Sequence, residues 1–358
     1  YLAWSAGQSN VFAMLDEAAK RPDCWLPGDY TIPFSSPIAN FVAVRTAAQF
    51  FGSRAQAFLL LDRPDEAYAE LQRIDTLNRI VTAKPVTVVS AMIYTAITGL
   101  QISVIVDGFA MGAWQEPHWR GFIENYSTRQ ILPQVVEALR SGERAGVLEL
   151  IEQLSTDGGR RVVEQDPGLK SMADFFRVTP RGWAPLNAAY YARAVQKQIE
   201  LLSEMPAIDP QGAKRLNDEM IVQLEQSRSP TRMIGRIAVI NLNKAAQTMT
   251  KNQTAIEQLV IASALELHRK EKGQYPGSVA ELSPTFLKRA PADVIRGKPL
   301  RYERRRNGEY ALYSIGWNGK DDLAPLLANP ETPMFDIFES KAAAEDWVWK
   351  GVPEASSK

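Results

Sequence analysis

A single long helix is predicted for residues 230–272, a stretch with no internal proline and one glycine, Gly235. Ser229 and Pro230 are typical of a helix start, because serine caps the first turn and proline fits the first helical position. Gly273 is typical of a helix end, since glycine readily adopts the left-handed conformation found there. We therefore expect a mainly α chain with this helix, called the spine helix below, towards its C-terminal end.

The composition indicates a folded chain without an overall charge preference. Its 358 residues suffice for two or three domains, and 41 basic residues balance 41 acidic ones, so we expect no nucleic-acid partner. The lone Cys24 excludes an internal disulfide and a cysteine-based zinc site. Two distant histidines, His118 and His268, argue against a histidine metal centre or a Ser-His catalytic pair. We interpret His118 as a structural or surface residue.

Residues 41–80 have the pattern of a helical hairpin. An Ala-, Leu- and Phe-rich segment precedes a turn at residues 62–64, and acidic residues open the second helix, where the helix dipole favours them. The pair resembles one tetratricopeptide unit, but no second copy follows at a fixed period, and such arrays need about three repeats. We expect a non-repeating helical bundle over residues 1–229. Further helices are predicted at residues 127–141, 143–154 and 186–205, and loops at 157–159 and 179–185.

The stretch from Val86 to Val106 contains no charged residue and is about long enough to span a bilayer. Threonine, serine, glutamine and glycine residues interrupt it, and a buried helix of a large bundle is also apolar on most sides. Both interpretations stay open, and the core helix is favoured over the membrane span.

A β-hairpin is predicted for residues 299–316, because the dipeptide at positions 307 and 308, Asn-Gly, favours a two-residue turn. That turn would place Tyr302 opposite Tyr313 and Leu300 opposite Ile315, all on one face that packs on the spine helix. The other face would carry charged side chains such as that of Arg301. These charges suit either docking to an anionic partner or protection of an exposed strand against pairing with another copy, and we favour protection.

Four short motifs follow one another in the last quarter of the chain, and their order resembles the C-terminal globular part of type II secretion major pseudopilins. The resemblance covers about residues 231–350. The motifs are Ala264 to Arg269, the G-x-Y-P turn Gly273 to Pro276, Gly297 to Tyr302, and Leu312 to Asp322. It implies a helix that ends at the G-x-Y-P turn, a small antiparallel sheet, and an acidic loop that can hold calcium.

The resemblance implies calcium ligands in two acidic stretches. Asn318, Asp321 and Asp322 follow the second predicted strand, and Asp346 precedes Trp347 as in the segment that closes the pseudopilin fold. Calcium takes six to eight oxygen ligands, which two acidic loops and backbone carbonyls could supply. In pseudopilins the two stretches lie close together, whereas residues 323–344 separate them here. The alternative is a pair of solvated acidic loops.

The predicted fold is mainly α with a small α+β C-terminal module: a helical bundle over residues 1–229, then a pseudopilin-like module over 230–358 with spine helix 230–272, hairpin 299–316 and acidic loops 317–349. No catalytic constellation stands out, so we expect no enzyme, and a cleft with two carboxylates of different pKa is the feature that would favour an enzyme instead. The resemblance implies a structural or assembly protein on the periplasmic side of a bacterial envelope, tethered by a segment before Tyr1 and bound to a protein partner. The long region ahead of the spine helix favours an accessory role in a secretion or pilus-like system. The alternative is a soluble helical scaffold that binds a peptide or protein through its tetratricopeptide-like hairpin.

Overall fold

The computed structural model describes residues 1–21, 24, 40–82, 87–164, 167, 169–203, 208–239, 242–305, 308–327 and 346–349. Within these ranges the protein is mainly α, with a three-stranded antiparallel sheet of order β1-β2-β3 near the C-terminal end. This arrangement confirms the predicted fold class.

The helices are α1 (Leu2–Ser5), α2 (Ser9–Ala19), α3 (Phe41–Leu60), α4 (Pro64–Val81), α5 (Val88–Ala110), α6 (Glu116–Tyr126), α7 (Leu132–Glu137), α8 (Ala145–Ser155), α9 (Asp157–Val163), α10 (Lys170–Val178), α11 (Trp183–Ser203), α12 (Pro210–Gln226), α13 (Met233–Ala238), α14 (Asn243–Lys272) and α15 (Ala324–Leu327). The strands are β1 (Arg301–Arg304), β2 (Tyr310–Ser314) and β3 (Trp347–Trp349). Short 3₁₀ turns occupy Ala6–Gln8, Pro230–Arg232 and Val279–Leu282.

Helices α3 and α4 form the predicted helical hairpin, and α5 packs against both. The side chain of Asn40 accepts a hydrogen bond from the Ala43 amide (3.1 Å) and caps the start of α3. Helix α2 contacts α4, and the Arg73 guanidinium holds both carboxylate oxygens of Asp16 at 2.9 and 2.8 Å. The chain's own α2 therefore covers part of the hairpin that the tetratricopeptide-like interpretation would leave open to a partner.

Helix α5 is the apolar stretch that left two interpretations open. Of the helices in the described part of the chain, it is the one that is long and apolar enough to cross a membrane. Within its apolar segment of 18 residues, 61% is buried inside the structure. It contacts α3, α4 and α14, and Ile97, Val104 and Ile105 are almost completely buried. This packing is that of a core helix, and a core helix of a soluble protein meets the same length and hydropathy criteria.

The region between α6 and α11 departs from the predicted helix boundaries. Helices α7 and α8 join through a π-helical turn, Ala138–Arg144, instead of breaking between residues 141 and 143. The Tyr191 hydroxyl donates to the Glu143 carbonyl (3.2 Å), a backbone group within this turn. The loop predicted at 157–159 is the start of helix α9, where the Asp157 carboxylate pairs with the Arg160 side chain. Helix α9 also packs against α8, and the Thr156 hydroxyl accepts from the Gly159 amide (3.1 Å) and caps its start.

The prediction of one helix over 230–272 was wrong in its first part. The chain forms a 3₁₀ turn and α13, and then an extended Val239, before α14 begins. The physical reason is tertiary: the buried Asn187 of α11 accepts from the Ile234 amide (3.0 Å) and donates to the Pro230 carbonyl (3.1 Å). These bonds hold the segment against α11. The predicted C-terminal end is confirmed, since Gly273 is left-handed with φ of 77°.

The predicted hairpin register was also wrong, by one residue. Tyr302 lies opposite Leu312, and Arg301 lies opposite Tyr313. The backbone amide of Arg305 donates to the Glu309 carbonyl (2.8 Å), so these two residues are paired. The loop between them therefore has three residues instead of two. The shift exchanges the faces of one strand.

As a result, Tyr310 and Leu312 share the face of Tyr302, and Tyr313 lies on the opposite face. The inner face packs on α14, where the Gln258 side-chain amide donates to the Trp347 carbonyl at 2.6 Å. The prediction that Arg301 and Glu303 lie on the face away from Tyr302 is confirmed, and both side chains are exposed.

Helix α14 is buried on all sides over residues 256–268. It contacts α5 and α6 on the bundle side, and β2 and β3 on the sheet side. A parallel bridge between Ile208 and Ile295 adds a second connection between the two regions. The predicted domain boundary between residues 229 and 230 stays a prediction. Helix α14, which lies in the predicted second domain, packs directly against helices of the predicted first domain.

Candidate functional site

The structure brings the two predicted acidic stretches together. Asp346 precedes β3, is 4% exposed, and accepts a hydrogen bond from the Leu323 amide at 2.7 Å. Burial raises the pKa of its carboxyl to about 6, and the nearby negative charges of Asp321 and Asp322 act in the same direction. The stretches therefore meet, although many residues separate them in the sequence.

Asp321 is engaged by several donors. Its Oδ1 accepts from the Ala324 amide (3.0 Å) and from the Tyr313 hydroxyl (3.2 Å). Its Oδ2 lies 3.4 Å from the Arg301 guanidinium. These contacts close the loop after β2 on the outer face of the sheet.

Asp322 and Asn318 bond to each other, because the Asn318 amide donates to the Asp322 carboxylate at 2.7 Å. The Asp346 Oδ1 is buried and has no hydrogen-bond partner in the described part of the chain. That oxygen is a potential cation ligand. However, no group of three or more His, Cys, Asp or Glu side chains among the described residues is arranged to hold a metal ion. The three predicted ligands are neighbours, but most of their oxygens are turned towards protein donors.

A second polar cluster lies on α14 and was not predicted from the sequence. Gln253 and Glu257 are nearly completely buried, one turn apart. The Gln253 side chain accepts from the Ile131 amide (2.8 Å) and donates to Glu257 Oε1 (3.4 Å). Glu257 Oε2 has no hydrogen-bond partner among the described residues. Polar residues at helical spacing within an otherwise apolar stretch were the signal available in the sequence.

The Glu257 carboxyl has a pKa well above its ordinary value, because it is buried and because the charge of Asp293 lies nearby. Asp293 is itself 4% exposed, and its Oδ1 accepts from the Ile295 amide at 2.9 Å. Burial raises the pKa of Asp293 to about 6. Both carboxyls therefore ionise less readily than exposed carboxyls do.

Arg129, in the α6–α7 connection, belongs to a separate polar network. Its guanidinium pairs with Asp75 (2.6 Å), donates to the Gln101 side chain (3.0 Å), and stacks 4.1 Å from the ring centroid of Tyr126. Gln101 also donates to Asp75 (2.8 Å), so the three polar side chains form a closed network between α4, α5 and the α6–α7 connection. This network fixes the position of the guanidinium.

A cleft of about 430 Å³ opens beside this cluster, between the α6–α7 connection, α14 and the loop at 289–292. Its lining combines polar and apolar residues. They are Tyr126, Ser127, Arg129, Gln130, Gln253, Ile256, Glu257, Val260, Arg289, Ala290, Pro291 and Ala292. The volume is in the range of small-molecule sites.

His118 has a structural position at the start of α6. Its Nδ1 accepts from the Gln115 amide (3.1 Å), and its Nε2 lies 2.9 Å from the Asp65 carboxylate. The side chain is buried, and burial lowers its pKa. These bonds cap the helix and attach it to α4.

Comparison with protein-family models, curated proteins and solved structures finds no significant match. The likeness to pseudopilins therefore rests on the sequence motifs alone and stays a prediction.

Proposed function

We propose that the protein is a non-enzymatic structural or assembly protein of a bacterial cell envelope, with a pseudopilin-like C-terminal module facing the periplasm. The module would bind a protein partner in a secretion or pilus-like system.

The supporting observation is that the sequence motifs of the resemblance contact one another. The Tyr275 hydroxyl of the G-x-Y-P turn donates to the buried Glu266 carboxylate at 2.6 Å. The Tyr302 hydroxyl of β1 donates to the Pro276 carbonyl (2.9 Å), and Arg304 donates to the Tyr275 carbonyl (2.8 Å). One unit is thus formed by the helix end, the turn and the first strand.

An accessory role is favoured over that of a filament subunit. In a pseudopilin the hydrophobic helix stands at the mature N-terminus and drives filament packing. Here α14 follows a large helical region and is already covered by α5 and α6 on one side and by the sheet on the other. Strand β1 is an exposed, charged edge of the module's sheet, and it is the edge at which we test for a partner contact.

A cross-linking experiment in a bacterium that encodes the chain tests this proposal. We expect a photo-cross-linking residue at Glu303 on β1 to trap a pilin, a pseudopilin or an assembly component, identified by mass spectrometry. Met14 on α2 is 74% exposed and serves as the control position, which should not trap the same partner. External protease should digest the protein only after the outer membrane is opened. A protein that stays protected until the cytoplasmic membrane is lysed would refute the envelope assignment.

We propose that the carboxylates of Asp321, Asp322 and Asp346 bind a calcium ion. Because Asp321 is held by Arg301, the ion would have to replace that guanidinium. We expect calcium at about a hundredfold excess over its Kd to stabilise the protein by about 2.7 kcal/mol, measured by melting with calcium or with chelator. Asp321→Asn and Asp346→Asn should each abolish the effect, whereas Glu303→Gln on the exposed strand should retain it.

The calcium effect should also depend on pH. In the folded protein the pKa of the Asp346 carboxyl is raised to about 6. The protonated carboxyl therefore stabilises the fold at low pH, and this stabilisation is lost as the pH rises through about 6. Calcium needs the ionised carboxylate. Its stabilisation should therefore be larger near neutral pH than at about pH 5. Equal melting temperatures with calcium and chelator near neutral pH would rule out the site.

A further inference from the structure

We propose that the cleft between the α6–α7 connection, α14 and the loop at 289–292 binds a small organic molecule with a carboxylate group and an apolar body. This inference does not depend on the proposed envelope function. It rests on the charges, the hydrogen-bonding groups and the walls of the cleft.

The charges of the cleft favour an anion. Arg129 is paired with Asp75, whereas Arg289 is exposed and makes no ion pair with any described residue. Glu257 is the acidic residue of the lining, against the two arginines, and burial together with the nearby charge of Asp293 raises the pKa of its carboxyl. The lining therefore presents a net positive charge, and a guanidinium can hold a carboxylate through two parallel hydrogen bonds.

The unsatisfied polar groups favour a ligand that accepts hydrogen bonds. Within the described part of the chain, the Tyr126 hydroxyl and Glu257 Oε2 are buried without a hydrogen-bond partner. The hydroxyl is a donor, and so is a protonated carboxyl. A buried polar group without a partner costs about 1–3 kcal/mol, which a ligand with acceptor oxygens would recover. A carboxylate has only hydrogen-bond acceptors. It can therefore accept hydrogen bonds from these groups and from the two arginines of the cleft.

The walls of the cleft favour an apolar body. Ile256 and Val260 lie one turn apart on α14, and Ala290, Pro291 and Ala292 face them from the loop. A volume of about 430 Å³ exceeds what a carboxylate alone would fill. The combination of an apolar wall with a few convergent polar groups is the usual composition of small-molecule sites.

Phenylacetate and its neutral analogue phenylacetamide test the inference, because they share one body and differ in charge. Calorimetric titration of the whole chain should detect phenylacetate and find phenylacetamide at least about tenfold weaker, since tenfold corresponds to the loss of one such polar interaction. Arg289→Ala should weaken phenylacetate binding by about tenfold or more. Lys288→Ala is the matched control, since Lys288 is an exposed cation next to Arg289 that does not line the cleft, and it should bind as the unaltered chain does.

Ala290→Trp provides a second variant on the loop, where a large side chain should fill the cleft and abolish binding while the fold remains. The inference would be overturned if neither compound binds at millimolar concentration, or if both bind equally. It would also be overturned if Arg289→Ala and Ala290→Trp leave the affinity for phenylacetate unchanged.

Discussion

Replacing Tyr310 by alanine should lower the free energy of unfolding by about 3–5 kcal/mol, the usual cost of deleting a fully buried aromatic side chain. Tyr310 is 1% exposed, and its ring lies 4.8 Å from that of Tyr275 and 6.0 Å from that of Tyr302 between centroids. Loss of this ring would leave a cavity between β2, the G-x-Y-P turn and α14. Denaturant-induced unfolding of the variant and of the unaltered chain measures the difference.

A double-mutant cycle adds a test of the strand register. Tyr302 and Tyr310 share the inner face, so their alanine variants should show a coupling of about 0.5–1.5 kcal/mol. Tyr302 and Tyr313 lie on opposite faces and should be nearly additive. Strong coupling between Tyr302 and Tyr313, with none between Tyr302 and Tyr310, would favour the register predicted from the sequence over the observed one.

Replacing Arg54 by methionine should also cost about 3–5 kcal/mol of unfolding free energy, because it leaves a buried carboxylate without its main partner. Arg54 and Glu70 are 8% and 2% exposed, and their side chains meet at 2.8 Å. The Arg54 guanidinium also bonds the Ser5 hydroxyl, which joins α1 to the hairpin. Arg73 lies 3.2 Å from Glu70 and retains part of the compensation.

Two further variants separate the lost ion pair from lost packing. The double change Arg54→Met with Glu70→Leu should recover much of the stability, since replacing both members of a buried pair by apolar residues is often neutral. Arg63→Met breaks the exposed pair with Glu66 at the turn of the same hairpin, and should change the free energy of unfolding little. A loss for Arg54→Met as small as that for Arg63→Met would mean that Glu70 is not buried as described.

The sequence predicted those helix ends that are determined by residues close by in the chain, such as a turn or a glycine. The hairpin of α3 and α4 and the left-handed Gly273 at the end of α14 are of this kind. The start of α14 could not be predicted in this way, because the preceding segment is held by Asn187, which is distant in the sequence. A local pattern carries no information about such a partner.

The strand register was missed for a related reason. Residues Tyr310–Ser314 of β2 are buried on both faces, so the strand lacks the alternation of polar and apolar residues that fixes a register. Gly308 has a φ of 85°, which suits a three-residue hairpin loop as well as a two-residue one. A difference of one loop residue then decides which tyrosine faces α14.

The candidate sites were predictable to different degrees. The sequence left open whether the stretches of Asp321 and Asp346 meet, because residues 323–344 separate them, and the structure places the two side chains near each other. The cleft was not predicted, because Arg129, Glu257 and Arg289 come from three separate segments whose proximity depends on how α14 packs. Only the buried polar positions Gln253 and Glu257 of the helix could have drawn attention to it.

The burial of α14 around its whole circumference has an evolutionary consequence. Substitutions in residues 256–268 fall in one of two hydrophobic packings on the same helix, one with α5 and α6 and one with β2 and β3. The sequences of the helical region and of the sheet region cannot change independently, because both regions pack on the same helix. A module of this kind could be exchanged between proteins only together with the helices that cover its central helix.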